Sequence, residues 1–326
     1  MKIVFYGTKP YDKIWFEKMA VDYGYELHFV EESCNEETVK LADGCDAVCV
    51  FVNDDMNKNI IDALYEMGVK GILLRCAGFN NVDLKAAEGK LVVLRVPSYS
   101  PEAVAEFAMA LLLTVNRYTH KAYVRTREFN MRINGLMGCD LHGKTAGVVG
   151  TGKIGQSMIN IFKGFGMEVL AYDPFPNNSL DVTYVDKDEL FKRSDVITLH
   201  CPLTNDTKHM INKESIALMK DDVYLVNTSR GSLINTEDLI EALLNKKFSG
   251  VGLDVYEEEE GVFYEDHSDK IIQDENLVRL STFPNVLITS HMGFFTKEAM
   301  QQIASVTLEN AYALENGLEL KNRVVL

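Results

Sequence analysis

Three polar groups close otherwise apolar runs in the second half of the chain. They are Arg230 in "VNTSRG", the glutamates at 257–260 in "LDVYEEEEGVF", and His291 in "ITSHMGFF". Histidine suits general acid–base work because its ordinary pKa of about 6.5 lies near working pH. A carboxylate beside an imidazole favours the protonated ring, and a guanidinium can clamp a carboxylate through two parallel hydrogen bonds. Each group also has an ordinary explanation when taken singly. Arg230 could pair on the surface, the glutamate run could be a solvated face, and His291 could be a satisfied core histidine.

An upstream stretch supplies a context in which the three belong together. Between the strand-like "TAGVVG" and a helical segment lies "GTGKIG", with Gly150, Gly152 and Gly155 in GxGxxG spacing. Such glycines permit a tight turn and let a pyrophosphate approach backbone amides at a helix N-terminus, where the helix dipole favours negative charge. Alone the motif is weak, and an ordinary glycine-rich turn would account for it. The next strand, "EVLAYD", ends in Asp173, close to the offset of about 20 residues expected for an acidic ribose ligand. That carboxylate accepts from both ribose hydroxyls and repels a 2'-phosphate, which favours NAD over NADP, although an aspartate ending a strand can also simply cap a turn. Hydride delivery from a nicotinamide to a ketone leaves negative charge on oxygen, which must be stabilised and protonated. His291 with a glutamate partner suits the proton, and Arg230 suits a substrate carboxylate, so the set predicts a 2-oxo acid.

The elements that must position these groups alternate along the chain. "KIVFYG", "ELHFV", "AVCVFV", "GILLRC" and "LVVLRV" read as buried strands separated by amphipathic segments such as "NIIDALYEMG". "PSYSP" then opens a long helical run, "EAVAEFAMALLLTVNR", a candidate link between two domains. A second series follows: "TAGVVG", "EVLAYD", "VITLHC", "VYLVNTS", "GVGLDV" and "NVLITS". The final helix is expected to be capped by Thr296 and stopped near Gly317. Strands alternating with helices imply an α/β protein with parallel sheets covered on both faces.

Bulk properties agree and exclude several classes. At 326 residues the chain exceeds the usual size of one core. The net charge of -15 disfavours nucleic acid and anionic membranes as partners, so an anionic ligand needs a local positive site such as the glycine turn. The N-terminus reads as a strand rather than a signal peptide, and the longest apolar stretch, "AMALLLTV", is far short of the roughly 18 residues that span a bilayer. A cytoplasmic protein is expected. Cysteines 34, 45, 49, 76, 139 and 201 are dispersed without CxxC pairs or histidines at zinc spacing, so they read as reduced structural thiols and no metal site is expected.

"GTGKIG", Asp173, "HCPLT", "VNTSRG", "GLDVYEEE" and "SHMGFFT" occur in the order and spacing of the NAD-dependent D-2-hydroxyacid dehydrogenases. The chain resembles that family nearly end to end, and "RCAGFNNVDL" with "RVPSYSPEAVAE" resembles its D-lactate dehydrogenase branch. The resemblance implies two doubly wound domains with a cleft between them. A flavodoxin-like substrate domain would comprise residues 1–99 and 297–326, and a Rossmann NAD-binding domain residues 100–296. It also implies roles. His291 is the acid/base, Arg230 orients the substrate, and Glu259 is the acid partner of histidine, leaving Glu257, Glu258 and Glu260 solvated. Many members carry proline where this chain has Glu260, so the adjacent register is the alternative. Lys153 and Ile154 would lie at the pyrophosphate turn, and Asp254 near the nicotinamide amide. Cys201, Pro202, Thr207, Thr228 and Ser229 would line the cofactor, while His200 reads as structural or cofactor-adjacent. Ala77 and Gly78 would offer backbone amides to the substrate carboxylate, with Tyr99 and Phe294 facing the same pocket.

The implied activity is reversible NADH-dependent reduction of pyruvate to D-lactate by a homodimer joined through its NAD-binding domains. The alternative is a dehydrogenase for larger 2-oxo acids such as 2-oxoisocaproate or phenylpyruvate, which Phe294 leaves open because many lactate-forming relatives have tyrosine there. A reading from another class is a nicotinamide-sensing binding protein like the corepressors that share the fold.

Overall fold

In the computed structural model, which describes residues 1–325, the chain divides into two compact units, Met1–Ser100 with Phe295–Leu326, and Pro101–Phe294. The first is built on a five-stranded parallel sheet in the order β2-β1-β3-β4-β5: β1 (Lys2–Phe5), β2 (Glu26–Phe29), β3 (Ala47–Val50), β4 (Gly71–Leu74) and β5 (Val92–Leu94). β3 and β4 are buried along their whole length, as strands covered on both faces must be. The C-terminal helix Lys297–Glu315 belongs to this unit. It is capped by Thr296, whose side chain accepts from the Ala299 amide, and it ends before Gly317 at φ 62°. Glu315 pairs with the N-terminal ammonium at 2.9 Å, and Asn310 donates to the Arg95 carbonyl at 2.9 Å.

The second unit carries a seven-stranded parallel sheet in the order β12-β11-β10-β9-β6-β7-β8. Its strands are β6 (Thr145–Val149), β7 (Glu168–Tyr172), β8 (Thr183–Tyr184), β9 (Val196–Leu199), β10 (Val223–Asn227), β11 (Phe248–Leu253) and β12 (Val286–Ile288). Only the two-residue edge strand β8 is absent from the sequence reading, being too short to show an alternation. The helical run expected to link domains, Pro101–Arg117, is an integral part of this unit. It lies on β11, where Leu111 and Val115 fill the space above Gly252 and Gly250: a Cβ on either glycine would lie 3.0 Å from those side chains. Close packing of this kind leaves little room for added atoms.

Register aligns the functional edge. Tyr172, Val149, Leu199, Asn227, Leu253 and Ile288 lie side by side across six strands. The next residue of each strand is therefore the first to leave the sheet at one common edge: Asp173, Gly150, His200, Thr228, Asp254 and Thr289. In an open α/β sheet that carboxyl edge is where ligands bind, at the point where strand order reverses. Here the reversal falls between β6 and β9.

Candidate active site

The glycine turn sits at this reversal. Gly150 has φ +92°, and a Cβ there would lie 2.7 Å from the His200 carbonyl carbon, so the turns after β6 and β9 touch backbone to backbone. Gly155 packs equally closely, its Cβ position being 2.0 Å from the Gly150 oxygen, whereas the space beside Gly152 is open. Gly152 is the N-cap of the helix Lys153–Gly164, so that open side borders the helix's unpaired amides. Asp173 is fastened above this turn. One carboxylate oxygen accepts from the Thr151 amide at 2.7 Å and its hydroxyl at 3.0 Å, and the other accepts from the Phe175 amide at 2.9 Å.

The turn after β9 is held by Ser229, whose hydroxyl donates to the Cys201 carbonyl at 2.6 Å, and by Thr207, which donates to the Pro202 carbonyl at 2.7 Å. The Cys201 thiol is buried against Met210, and burial pushes its pKa up to about 11. It is an inert packing group. His200 has both ring nitrogens buried without a hydrogen-bond partner, and desolvation lowers its pKa to about 4, so the ring is neutral. The Thr228 hydroxyl is likewise buried and unpartnered. Buried polar atoms without partners are rare enough to need a reason, and these lie at the edge where a ligand is expected.

At the ends of β10, β11 and β12 the three chemically suggestive groups come out on neighbouring turns. The imidazole Nδ1 of His291 lies 2.9 Å from a Glu259 carboxylate oxygen, and the other Glu259 oxygen accepts from the Tyr256 amide at 3.0 Å. Side-chain exposure is only 17% for His291 and 25% for Glu259, which limits screening by water. His291 adopts φ 53°, an uncommon backbone conformation for a non-glycine residue. Asp254 enforces it. Its carbonyl accepts from the His291 amide at 2.7 Å, and its carboxylate accepts from the Thr289 hydroxyl at 2.6 Å, the Met292 amide at 2.9 Å and the Gly293 amide at 2.7 Å. Burial raises the Asp254 pKa, while those bonds oppose the rise.

Two residues that hold this site carry no signal in the sequence. The Tyr264 hydroxyl donates to the His291 carbonyl at 2.8 Å, and its ring stacks near the imidazole at a centroid distance of 6.2 Å. Glu257 corrects the expectation that it is solvated. Glu258 and Glu260 are exposed, but the Glu257 side chain is 17% exposed, pairs with His209, and accepts from the Thr236 amide and hydroxyl at 3.1 and 2.9 Å.

Arg230 is half-buried, and its Nη1 donates to its own chain at the Ser229 carbonyl, 2.7 Å away. Phe294 is buried. In the first unit the Ala77 carbonyl accepts from Arg95 at 2.9 Å and the Gly78 carbonyl from the Cys76 thiol at 3.3 Å, while Tyr99 is half-buried. Among the described residues no cysteine is joined in a disulfide, and no cluster of side chains has the makings of a metal site.

Residues 108–293 match the family model described as D-isomer specific 2-hydroxyacid dehydrogenase, NAD binding domain. Along the whole of both chains the sequence is 50% identical to the D-lactate dehydrogenase of Escherichia coli. The apo structure of the E. coli D-lactate dehydrogenase superposes with a TM-score of 0.92 at 48% identity, covering all of both chains. The pyruvate reductase of Chlamydomonas reinhardtii superposes with a TM-score of 0.93 at 41% identity, covering 99% of this chain and 98% of that one. The chain belongs to the D-2-hydroxyacid dehydrogenase family. The cofactor of this dehydrogenase is NAD, and the residues present fit it. The glycine turn leaves an open approach to the helix N-terminus beside Gly152, Asp173 stands at the adjacent strand end, and the orphaned Thr228 hydroxyl sits on the same edge.

Proposed function

We propose that the chain is a D-lactate dehydrogenase that reduces pyruvate with NADH and runs in reverse when lactate and NAD are supplied. The observation that carries this is the His291–Glu259 pair on the turn next to Arg230, at the edge of an NAD-binding sheet. Bound NADH supplies the hydride. The protein supplies the rest: protonated His291 donates a proton from Nε2 to the developing alkoxide, and Glu259 on Nδ1 stabilises the charged ring that must be present beforehand. Arg230 binds the substrate carboxylate, with Phe294 lining the pocket. Gly150, Gly152, Lys153, Ile154, Gly155 and Asp173 hold the pyrophosphate and adenosine ribose. Pro202, Thr207, Thr228, Ser229 and Asp254 shape the nicotinamide side, with Cys201 behind them as a packing thiol.

The dimer expected through the NAD-binding unit is supported by a run of exposed apolar side chains beyond the helix Thr119–Arg127. Phe129, Ile133 and Met137 are 87%, 83% and 90% exposed in the single chain, and large apolar side chains left open in one segment are what a partner surface would cover. Among the described residues no helix is long and apolar enough to cross a membrane, and cytoplasmic residence is part of the proposal. NADH oxidation followed by absorbance with pyruvate, 2-oxoisocaproate and phenylpyruvate tests the function. Pyruvate should give the highest kcat/KM with D-lactate as product. A preference for the bulky acids would move the assignment to the larger-substrate dehydrogenases, and no turnover with any would favour the nicotinamide sensor.

A further inference from the structure

Gly231, the residue after Arg230, lies directly on the peptide that joins Tyr256 to Glu257. A Cβ on Gly231 would stand 2.0 Å from the Tyr256 carbonyl and 2.5 Å from the Glu257 nitrogen. Two positions beyond Glu257 is Glu259, whose carboxylate is tied back to the Tyr256 amide. The chain that presents the guanidinium and the turn that presents the histidine's acid partner therefore share one backbone contact. What fastens that contact is the Glu257 side chain.

One of its oxygens meets the His209 ring. The other takes the Thr236 amide and hydroxyl at the start of the helix Thr236–Leu244, where the helix dipole favours a negative charge. His209 is itself fixed to the same segment, because its amide donates to the Ser232 carbonyl at 2.8 Å and Ile211 pairs with Ile234. Burial works against the Glu257 charge, but the bonds from His209 and Thr236 hold its pKa below the usual carboxylate range. The carboxylate thus spans three segments: 209–211, 231–236 and 256–259.

We propose that Glu257, held by His209 and Thr236, is a positioning residue that sets Arg230 and Glu259 relative to one another, and so couples substrate binding to proton delivery. It touches no reacting atom. Removing it frees both turns to slide, and displacements near 1 Å in such constellations can cost about 100-fold in rate. The proposal rests on the dehydrogenase reading, so the wild-type enzyme is measured first on pyruvate. If it does not turn over, that reading fails and this one falls with it, whereas the variants below can overturn this one alone.

With wild-type turnover established, Glu257→Ala and Glu257→Gln are compared at saturating NADH, with the NADH-competent fraction counted by fluorescence titration. Glu257→Ala is expected to lower kcat and raise KM for pyruvate together, at least about tenfold in kcat/KM per competent site, with NADH affinity unchanged. Glu257→Gln keeps an amide oxygen for Thr236 but loses the charge facing His209, so it should fall between. A residue that merely stabilises the fold would lower Tm and the competent fraction while leaving kcat and KM of that fraction at wild-type values, and that result overturns the proposal. Should Glu257→Ala not fold, Glu257→Gln decides alone: a fall of threefold or more in kcat/KM supports the clamp, and wild-type constants sink it.

Discussion

Replacing Glu259 by glutamine changes one atom of the pair at 2.9 Å and removes one charge. Two unit charges about 4 Å apart at an effective dielectric of about 20 attract by about 4 kcal/mol. Both side chains keep some solvent exposure, so the net charge-assisted bond is closer to about 1.5–3 kcal/mol, against about 1 kcal/mol for a neutral one. The geometry adds a constraint. One Glu259 oxygen must accept from the Tyr256 amide, so the glutamine oxygen takes that place and its NH2 faces His291. Nδ1 must then accept, which confines the imidazole to its neutral form with the hydrogen on Nε2. The charge-assisted bond to the ring loses about 0.5–2 kcal/mol, a fall of roughly 2- to 30-fold in kcat/KM near neutral pH. Stopped-flow and steady-state NADH oxidation measure it, with NADH affinity by fluorescence as a control expected not to change. A Glu259→Gln enzyme within twofold of wild type would refute the pairing as a catalytic device and return this glutamate to the structural class.

Arg230→Lys exchanges a fork for a point charge. The loss of one charged bond, about 1.5–3 kcal/mol, should reduce kcat/KM for pyruvate roughly 10- to 150-fold, mostly through KM, in the same assay. Gly150→Ala must place a methyl 2.7 Å from the His200 backbone at φ +92°. A destabilisation of about 2–4 kcal/mol is expected in urea melts, together with weakened NADH binding. His200, buried and neutral with a pKa lowered to about 4, takes up a proton more readily once unfolded, where its pKa is about 6.5. Stability contributed by this residue is therefore present above pH 6.5 and lost as pH falls toward 4, by on the order of 2–3 kcal/mol. Urea unfolding of His200→Leu should show a correspondingly smaller loss between pH 7 and 4.5, and an identical loss in both proteins would contradict the assignment.

Features that are local in the chain were legible in the amino acids. Among the described residues, eleven of the twelve strands follow from short β-branched or apolar runs, because a strand covered on both faces must be apolar at nearly every position. The glycine turn and Asp173 follow because dinucleotide binding constrains residues within one βαβ unit, and the cap at Thr296 follows because a helix start needs an acceptor within three residues. The choice of Glu259 over Glu260 came from the family resemblance, since nothing in the run of four glutamates distinguishes them locally. The arrangement of the run's other members was not legible. Glu257 and Glu258 are the same residue type side by side, yet one is clamped by His209 and Thr236 and the other is exposed. Tyr264 looks like any loop aromatic until its hydroxyl reaches the His291 carbonyl. In each case the deciding partner lies some twenty to fifty positions away in sequence. A side chain's environment is set by which strand ends the sheet order brings together, and no local pattern of residue types encodes that order. The sequence by itself determined which groups could do the chemistry, and the sheet register determined which of them face one another.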